Sequence, residues 1–158
     1  MKIGVIGDTH TNKLSAEILG YLKGMDMIIH TGDLTELEVL DSLKSICPNV
    51  KAVCGNMDEL DVRRCLPDKE IISVGKIRIG VTHGRGAPSG LIGLVTEIFK
   101  EDNLDIIIFG HSHSPVNQKI DSILYLNPGS LTDKIFAPYN SYGVIEINDR
   151  TKAEIVKI

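Results

Sequence analysis

The amino-acid sequence predicts an α/β fold built on mixed sheets, and two patterns carry that expectation. Through the first half, short β-branched runs closed by Gly, Asp or Asn alternate with amphipathic stretches of helical spacing. From Glu70 onward the alternation gives way to strand pairs separated by two-residue turn signals. Strand, helix and strand in succession imply parallel pairing with right-handed crossovers, whereas hairpins are antiparallel, so both pairings are expected.

In chain order, Lys2 to Gly7 reads as a strand, Leu14 to Leu22 as a helix, Met27 to His30 as a strand, Leu37 to Ile46 as a helix and Val50 to Cys54 as a strand. Ile71 to Val74 and Arg78 to Val81 flank Gly75 and Lys76 as a hairpin, its second arm lying within a strand over Ile77 to Thr82. Leu91 to Lys100 is the third expected helix, followed by strands over Ile106 to Gly110 and Ile123 to Asn127. Ser141 to Ile147 and Ala153 to Ile158 flank Asn148 and Asp149 as a closing hairpin. No internal repeat, low-complexity tract or Pro-rich linker marks a boundary, so residues 1–158 are expected to form one domain.

Composition narrows the function. Acidic side chains outnumber basic ones by 21 to 17, and Lys and Arg are dispersed, so no basic stripe is available to neutralise a duplex backbone. Aromatic residues make up 4% of the chain, which leaves few stacking platforms and ranks a nuclease on RNA or single-stranded DNA below a small phosphodiester substrate. Cys47, Cys54 and Cys65 are odd in number and lack CxxC spacing, and read as buried reduced thiols. No run approaches the ~20 apolar residues of a membrane helix, and Met1 to Gly7 is too short for a signal peptide. A cytoplasmic protein without a membrane partner is expected, and assembly into a homo-oligomer stays open.

The chemistry sits at the ends of the expected strands. Asp8 and His10 follow the first, Gly32-Asp33 the second, Gly55-Asn56 the third, His83-Gly84 the fifth and Gly110-His111-Ser112-His113 the sixth. Strand ends of an α/β sheet gather along one rim, and a rim with this many oxygen and imidazole donors can hold two divalent cations about 3.5 to 4 Å apart. Most of these motifs also have plain readings. Asp8 could accept backbone hydrogen bonds while Thr9 to Thr11 cap a helix, Asp33 could cap the helix near Thr35, and Gly-Asn is a common turn. The pair His111 and His113 has few purely structural motives. His30, inside an apolar strand, reads as structural or as a support for neighbouring groups.

Asp8-x-His10, Gly32-Asp33, Gly55-Asn56, Thr82-His83-Gly84 and Gly110-His111-Ser112-His113, in this order and spacing, resemble the calcineurin-like metallophosphoesterase superfamily, in particular its small single-domain prokaryotic phosphodiesterases. Asn127-Pro128-Gly129-Ser130 extends the resemblance, which covers essentially the whole chain. It implies a four-layer α/β/β/α sandwich of two mixed sheets. It also implies a dinuclear centre, one cation held by Asp8, His10, Asp33 and His113 and the other by Asp33, Asn56, His83 and His111, with Asp33 and a hydroxide bridging. In-line attack of that hydroxide would hydrolyse a phosphodiester. The donors are oxygen and nitrogen without thiolate, which suits manganese, nickel, iron, cobalt or catalytic zinc without choosing among them; manganese is the ion expected.

Asp33, Asn56 and Asp58 are the expected catalytic residues, and Arg85, Asn127 and Ser130 the expected substrate contacts. Two positions depart from the family pattern. Met57 stands where many members carry a histidine thought to protonate the leaving group, with Asp58 following, and Arg85 stands where small relatives often read His-Gly-His. A guanidinium could clamp a phosphate, and equally could be a solvated loop charge. A rival function follows from the same resemblance: a protein-interaction scaffold, as in a eukaryotic retromer subunit of similar small fold whose site is incomplete. Full retention of the ligand positions favours the enzyme.

Overall fold

A computed structural model describes residues 1–158. In chain order the elements are β1 (Lys2–Ile6), α1 (Ala16–Leu22), β2 (Met27–His30), α2 (Glu38–Lys44), β3 (Val50–Ala52), α3 (Leu60–Cys65), β4 (Lys69–Val74), β5 (Ile77–Thr82), α4 (Leu91–Ile98), β6 (Ile106–Ile108), β7 (Val116–Ile120), β8 (Ile123–Asn127), β9 (Ser141–Ile147) and β10 (Thr151–Lys157). They form two five-stranded sheets, ordered β10-β9-β1-β2-β3 and β4-β5-β6-β8-β7. Each is mixed: β1, β2 and β3 run parallel and β9 and β10 antiparallel in the first, while β5, β6 and β8 run parallel between antiparallel β4 and β7 in the second.

Strand periodicity builds the layers. Side chains alternate across a strand, so Ile3 and Val5, Met27 and Ile29, Ile79 and Val81, and Ile106 and Ile108 meet in a core between the sheets. The intervening residues face outward. Ile6 and Ile28 join Leu22, Val39, Leu40, Leu43 and Val62 beneath α1, α2 and α3. Ile107 and Tyr125 join Leu91, Val95 and Phe99 of α4 on the other side. Three cores separate four layers, the expected α/β/β/α sandwich. The central strands β1, β2 and β6 are buried on both faces, which is why these segments are nearly continuous apolar runs.

The hairpin at Gly75 is as expected, with Gly75 at φ +59, the sign that the first residue of a tight two-residue hairpin turn requires. The last hairpin differs, its second arm beginning at Thr151 and ending at Lys157. Two elements were not anticipated. The strand β7 lies at a sheet edge with Asn117, Gln118 and Lys119 exposed, so it carries no apolar signal, and α3 is six residues long with only Val62 buried. Ser15, not Thr9 or Thr11, caps α1 by accepting the Ile18 N–H, and α2 starts at Glu38 without a side-chain cap, so Asp33 does not serve as one. Cys47 and Cys54 are buried as expected, but Cys65 ends α3 in solvent. No helix is long and apolar enough to cross a membrane.

Gly20 in α1 and Gly93 in α4 are exposed, and a Cβ at either would meet nothing within 4 Å. Glycine inside a helix costs roughly 0.5–1 kcal/mol relative to alanine. The double variant Gly20→Ala/Gly93→Ala should therefore unfold a few degrees higher by calorimetry, about 2–4 °C per kcal/mol at this size.

Candidate metal centre

Parallel pairing brings the carboxyl ends of β1, β2 and β3 to one edge of their sheet, and those of β5, β6 and β8 to one edge of the other. The loops leaving them are stitched together across both sheets. Asp8 N–H donates to the Gly32 carbonyl (3.0 Å), His10 N–H to the Asp33 carbonyl (3.0 Å) and Gly110 N–H to the His83 carbonyl (3.1 Å). Both oxygens of Asp8 accept from His111 N–H, at 3.2 and 3.0 Å, joining the end of β1 to the turn after β6. All seven candidate ligands therefore arrive in one place.

The approach is so close that only glycine fits behind the ligands. A Cβ at Gly55 would lie 2.1 Å from Asp33 Oδ1, one at Gly32 2.9 Å from His83 Nδ1, and one at Gly110 3.0 Å from Asp8 Oδ2. The ligands themselves are bent into the space. Asp8, His10, Asp33, His111 and His113 have φ of +48°, +42°, +56°, +70° and +54°. Non-glycine residues there cost about 1 kcal/mol or more each and persist where surroundings over-determine them, typically at functional sites.

Two groups of donor atoms result. In one, His10 Nε2 and His113 Nε2 are 3.1 Å apart, with Asp8 Oδ1 3.5 Å from His113 Nε2 and Asp33 Oδ2 3.8 Å from His10 Nε2. In the other, Asn56 Oδ1 lies 3.1 Å from His83 Nε2 and 2.9 Å from His111 Nδ1, and Asp33 Oδ2 lies 3.3 Å from His83 Nε2. Asp33 Oδ2 thus faces both groups. Its partner oxygen Oδ1 accepts the Met57 N–H at 2.7 Å, so Oδ2 is the oxygen that both groups meet.

The outer hydrogen bonds decide what these atoms offer. His83 Nδ1–H donates to the Thr31 carbonyl (2.9 Å), His111 Nε2–H to the Gly86 carbonyl (3.0 Å) and His113 Nδ1–H to the Asp133 carboxylate. Carbonyls and carboxylates only accept, so each of those nitrogens carries the hydrogen and the inner nitrogen presents a lone pair. In the neutral rings, the lone pairs of Asn56 Oδ1, His83 Nε2 and His111 Nδ1, 2.9 to 3.1 Å apart with no hydrogen between them, repel. Around a cation with bonds of about 2.1 Å, adjacent donors lie about 3 Å apart, and the repulsion becomes coordination. The donor set fits divalent cations, and Asp8, His10, His113 and Asp8, Asp33, His83 form overlapping groups that could hold one.

Electrostatics point the same way. Burial pushes the pKa of Asp8 up to about 7, against the opposing pull of His83 and His113. Asp33 goes the other way: burial would raise it, but the hydrogen bond and charge of His83 outweigh that and hold it below the usual carboxylate range. His83 is correspondingly raised, the partnership with Asp33 and the charge of Asp8 overcoming its burial. Two buried carboxylates thus sit among four imidazoles in a pocket that no Lys or Arg lines.

Other expected site residues lie behind the rim. Asp58 is 5% exposed and accepts the N–H groups of Asp33 (3.1 Å), Thr35 (2.8 Å) and Gly55 (2.7 Å). It ties the loops after β2 and β3 together and does not face the open pocket. Asn127 and Ser130, expected as substrate contacts, are both 0% exposed. Asn127 Nδ2 donates to the Gly110 carbonyl and Ser112 Oγ, shaping the His111-Ser112-His113 turn. Ser130 Oγ donates to the Asp8 carbonyl at 2.6 Å. Their burial removes them from substrate contact and makes them supports of the ligand loops. Arg85 is exposed and lines a neighbouring pocket on the far side of Asn56 and His83, beside Arg63 and Lys69. It does not line the pocket over the two donor groups. His30 is fully buried, accepts the Gly32 N–H at Nδ1 and meets Thr9 Oγ1 through Nε2, a supporting role, and burial lowers its pKa to about 4.

Asp133 is the residue that sequence reasoning missed. Its side chain is 8% exposed, and besides His113 it accepts the N–H groups of Ile135, Phe136 and Ala137. Burial opposes its ionisation, but His113 and these backbone donors pull its pKa down to about 2. An acid three residues past Asn-Pro-Gly-Ser, in no strand and at no glycine-flanked strand end, gave no signal on its own.

Comparison with known proteins agrees with this geometry. The family model of the calcineurin-like phosphoesterase superfamily domain matches residues 1–150. A probable metallophosphoesterase of Methanocaldococcus jannaschii is 39% identical over 163 residues, covering 100% of this chain and 82% of the relative. A phosphodiesterase of the same organism is 23% identical, with 99% of each chain covered. Among solved structures, Vps29 of Entamoeba histolytica complexed with zinc superposes with a TM-score of 0.76 at 27% identity, over 99% of both chains.

Because Asp133 touches only one of the two donor groups, its loss should be felt unequally. Removing such a carboxylate behind a ligating histidine typically costs 10–100-fold in metal affinity. In calorimetric titration with manganese, Asp133→Asn should weaken one binding event by that factor and leave the other within about threefold, whereas equal weakening of both would show that Asp133 acts through general folding.

Proposed function

The chain belongs to the calcineurin-like phosphoesterase superfamily, and on that footing we propose that it is a metal-dependent phosphodiesterase acting by in-line attack of hydroxide on a small phosphodiester. The observation that carries this reading is the single oxygen, Asp33 Oδ2, shared by two convergent sets of lone pairs. Two divalent cations held there would supply Lewis acidity, lowering the pKa of water and drawing charge from the phosphoryl oxygens.

The rest falls to the chain's own side chains. The Met57 N–H fixes the Asp33 carboxylate against rotation, and Thr31, Gly86 and Asp133 fix three imidazoles with their lone pairs inward. The donor atoms are thus oriented before a substrate arrives, so little reorganisation remains for the transition state. Above them lies an open pocket of about 970 Å³ with Thr9, Thr11, Ser112, Ser114 and Thr132 on its walls. Proton donation to the leaving group is the weak point. Met57 lines this pocket, and a thioether has no proton to give.

Manganese is the ion expected, and the ligand chemistry suits nickel, iron, cobalt or zinc as well. A cytoplasmic setting, no membrane partner and no duplex nucleic acid accompany this reading, and a homo-oligomer is compatible with it. The non-catalytic scaffold remains the alternative from another class, and it has no need of a donor set this complete.

The test is turnover by metal-stripped protein refilled with each ion in turn. A nitrophenyl diester should be hydrolysed with a far higher kcat/KM than an alkyl monoester. Met57→His should help the alkyl leaving group selectively, within the 10²- to 10⁴-fold usual for general acid help. Full metal loading without turnover above the metal-free control would instead favour the scaffold.

A further inference from the structure

The pocket over the donor groups is lined by hydroxyls, imidazoles and acids, with no Lys or Arg among them; Arg63, Lys69 and Arg85 line the separate pocket beyond Asn56. Apart from whatever the metal centre itself holds, that pocket offers no cation for a second phosphate. What it offers instead is apolar surface. Met57 and Phe136 stand on its walls, 62% and 76% exposed. Large side chains left in water at a pocket mouth contribute nothing to folding there, and burying one is worth about 1.5–3 kcal/mol to whatever covers it.

Phe136 is also held in register with the centre. The Asp133 carboxylate that accepts the His113 Nδ1–H also accepts the backbone N–H groups of Ile135, Phe136 and Ala137. One acid therefore orients a candidate ligand and anchors the segment that presents the aromatic ring. The Phe136 and His113 rings lie 6.2 Å apart between centroids, inclined at 76°, so Phe136 is an edge-to-face neighbour of a candidate ligand. An aromatic ester group on a phosphate at the centre would need to come within the 4.5–7 Å over which aromatic rings associate, the range in which Phe136 already meets His113.

We propose that Phe136, with Met57 on the facing loop, recognises phosphodiesters carrying a planar aromatic or heteroaromatic ester group. This rests on the phosphodiesterase reading and adds to it the class of organic group accepted. The phosphate is placed by the centre, the ring is covered by Phe136 and the thioether of Met57, whose sulfur favours aromatic contact, and the hydroxyls of the wall meet polar edges of the substituent.

Calorimetric binding of phenylphosphonate and ethylphosphonate to the manganese-loaded protein tests this without turnover. Phenylphosphonate should bind about tenfold or more tightly, the scale of one aromatic stacking contact. Phe136→Ala should erase the difference with manganese content unchanged, and Phe136→Tyr should keep it. Equal affinity in the unaltered protein, binding of neither phosphonate, or a preference that survives Phe136→Ala would overturn the proposal. A phenyl preference without turnover of any diester would uphold the aromatic site and sink the hydrolase reading instead.

Discussion

One carboxylate oxygen, Asp33 Oδ2, is the point on which the rim is organised. It faces His10 Nε2 at 3.8 Å and His83 Nε2 at 3.3 Å, one member of each donor group. The Met57 N–H on Oδ1 holds the carboxylate in the orientation that turns Oδ2 to both groups. Asp58 holds the Asp33 backbone from behind and Gly55 leaves the space that the carboxylate fills. Residues from β2 and β3 therefore cooperate to present one atom.

The cost of that convergence is visible in the backbone. Five candidate ligands sit at positive φ, a conformation that ordinary side chains avoid. Their loops are kept there by hydrogen bonds from side chains that are not themselves candidate ligands. Ser130 and Thr132 bind the carbonyls of Asp8 and Thr9, and Asn127 binds that of Gly110. The Asn-Pro-Gly-Ser turn is thereby a clamp across two ligand loops. Strain held in the apo protein and mutual repulsion of lone pairs would both be relieved by bound cations, which would couple metal binding to stability.

Much of this was legible from residue order. Ligands following short apolar runs told both the sheet and its functional edge, since a parallel strand buried on two faces has an unmistakable composition and its polar successor must emerge at the end. The His111 and His113 pair needed no neighbour to be informative. What escaped has a common cause. Asp58, Asn127 and Ser130 act through backbone groups distant in sequence and Asp133 through the distant His113 ring, and a side chain that holds a loop or a ring looks the same in one dimension as one that meets a substrate. The edge strand β7 and the short helix α3 bury too little to leave a periodic trace.

Divalent cation stoichiometry tests the central claim most directly. Titration of the metal-free chain with manganese, followed by calorimetry, should give two ions per chain, and Asp33→Asn should lose both high-affinity events together because they share its oxygen. One ion per chain, or an Asp33→Asn protein that loses one event and keeps the other at full affinity, would contradict a shared carboxylate at the heart of the site.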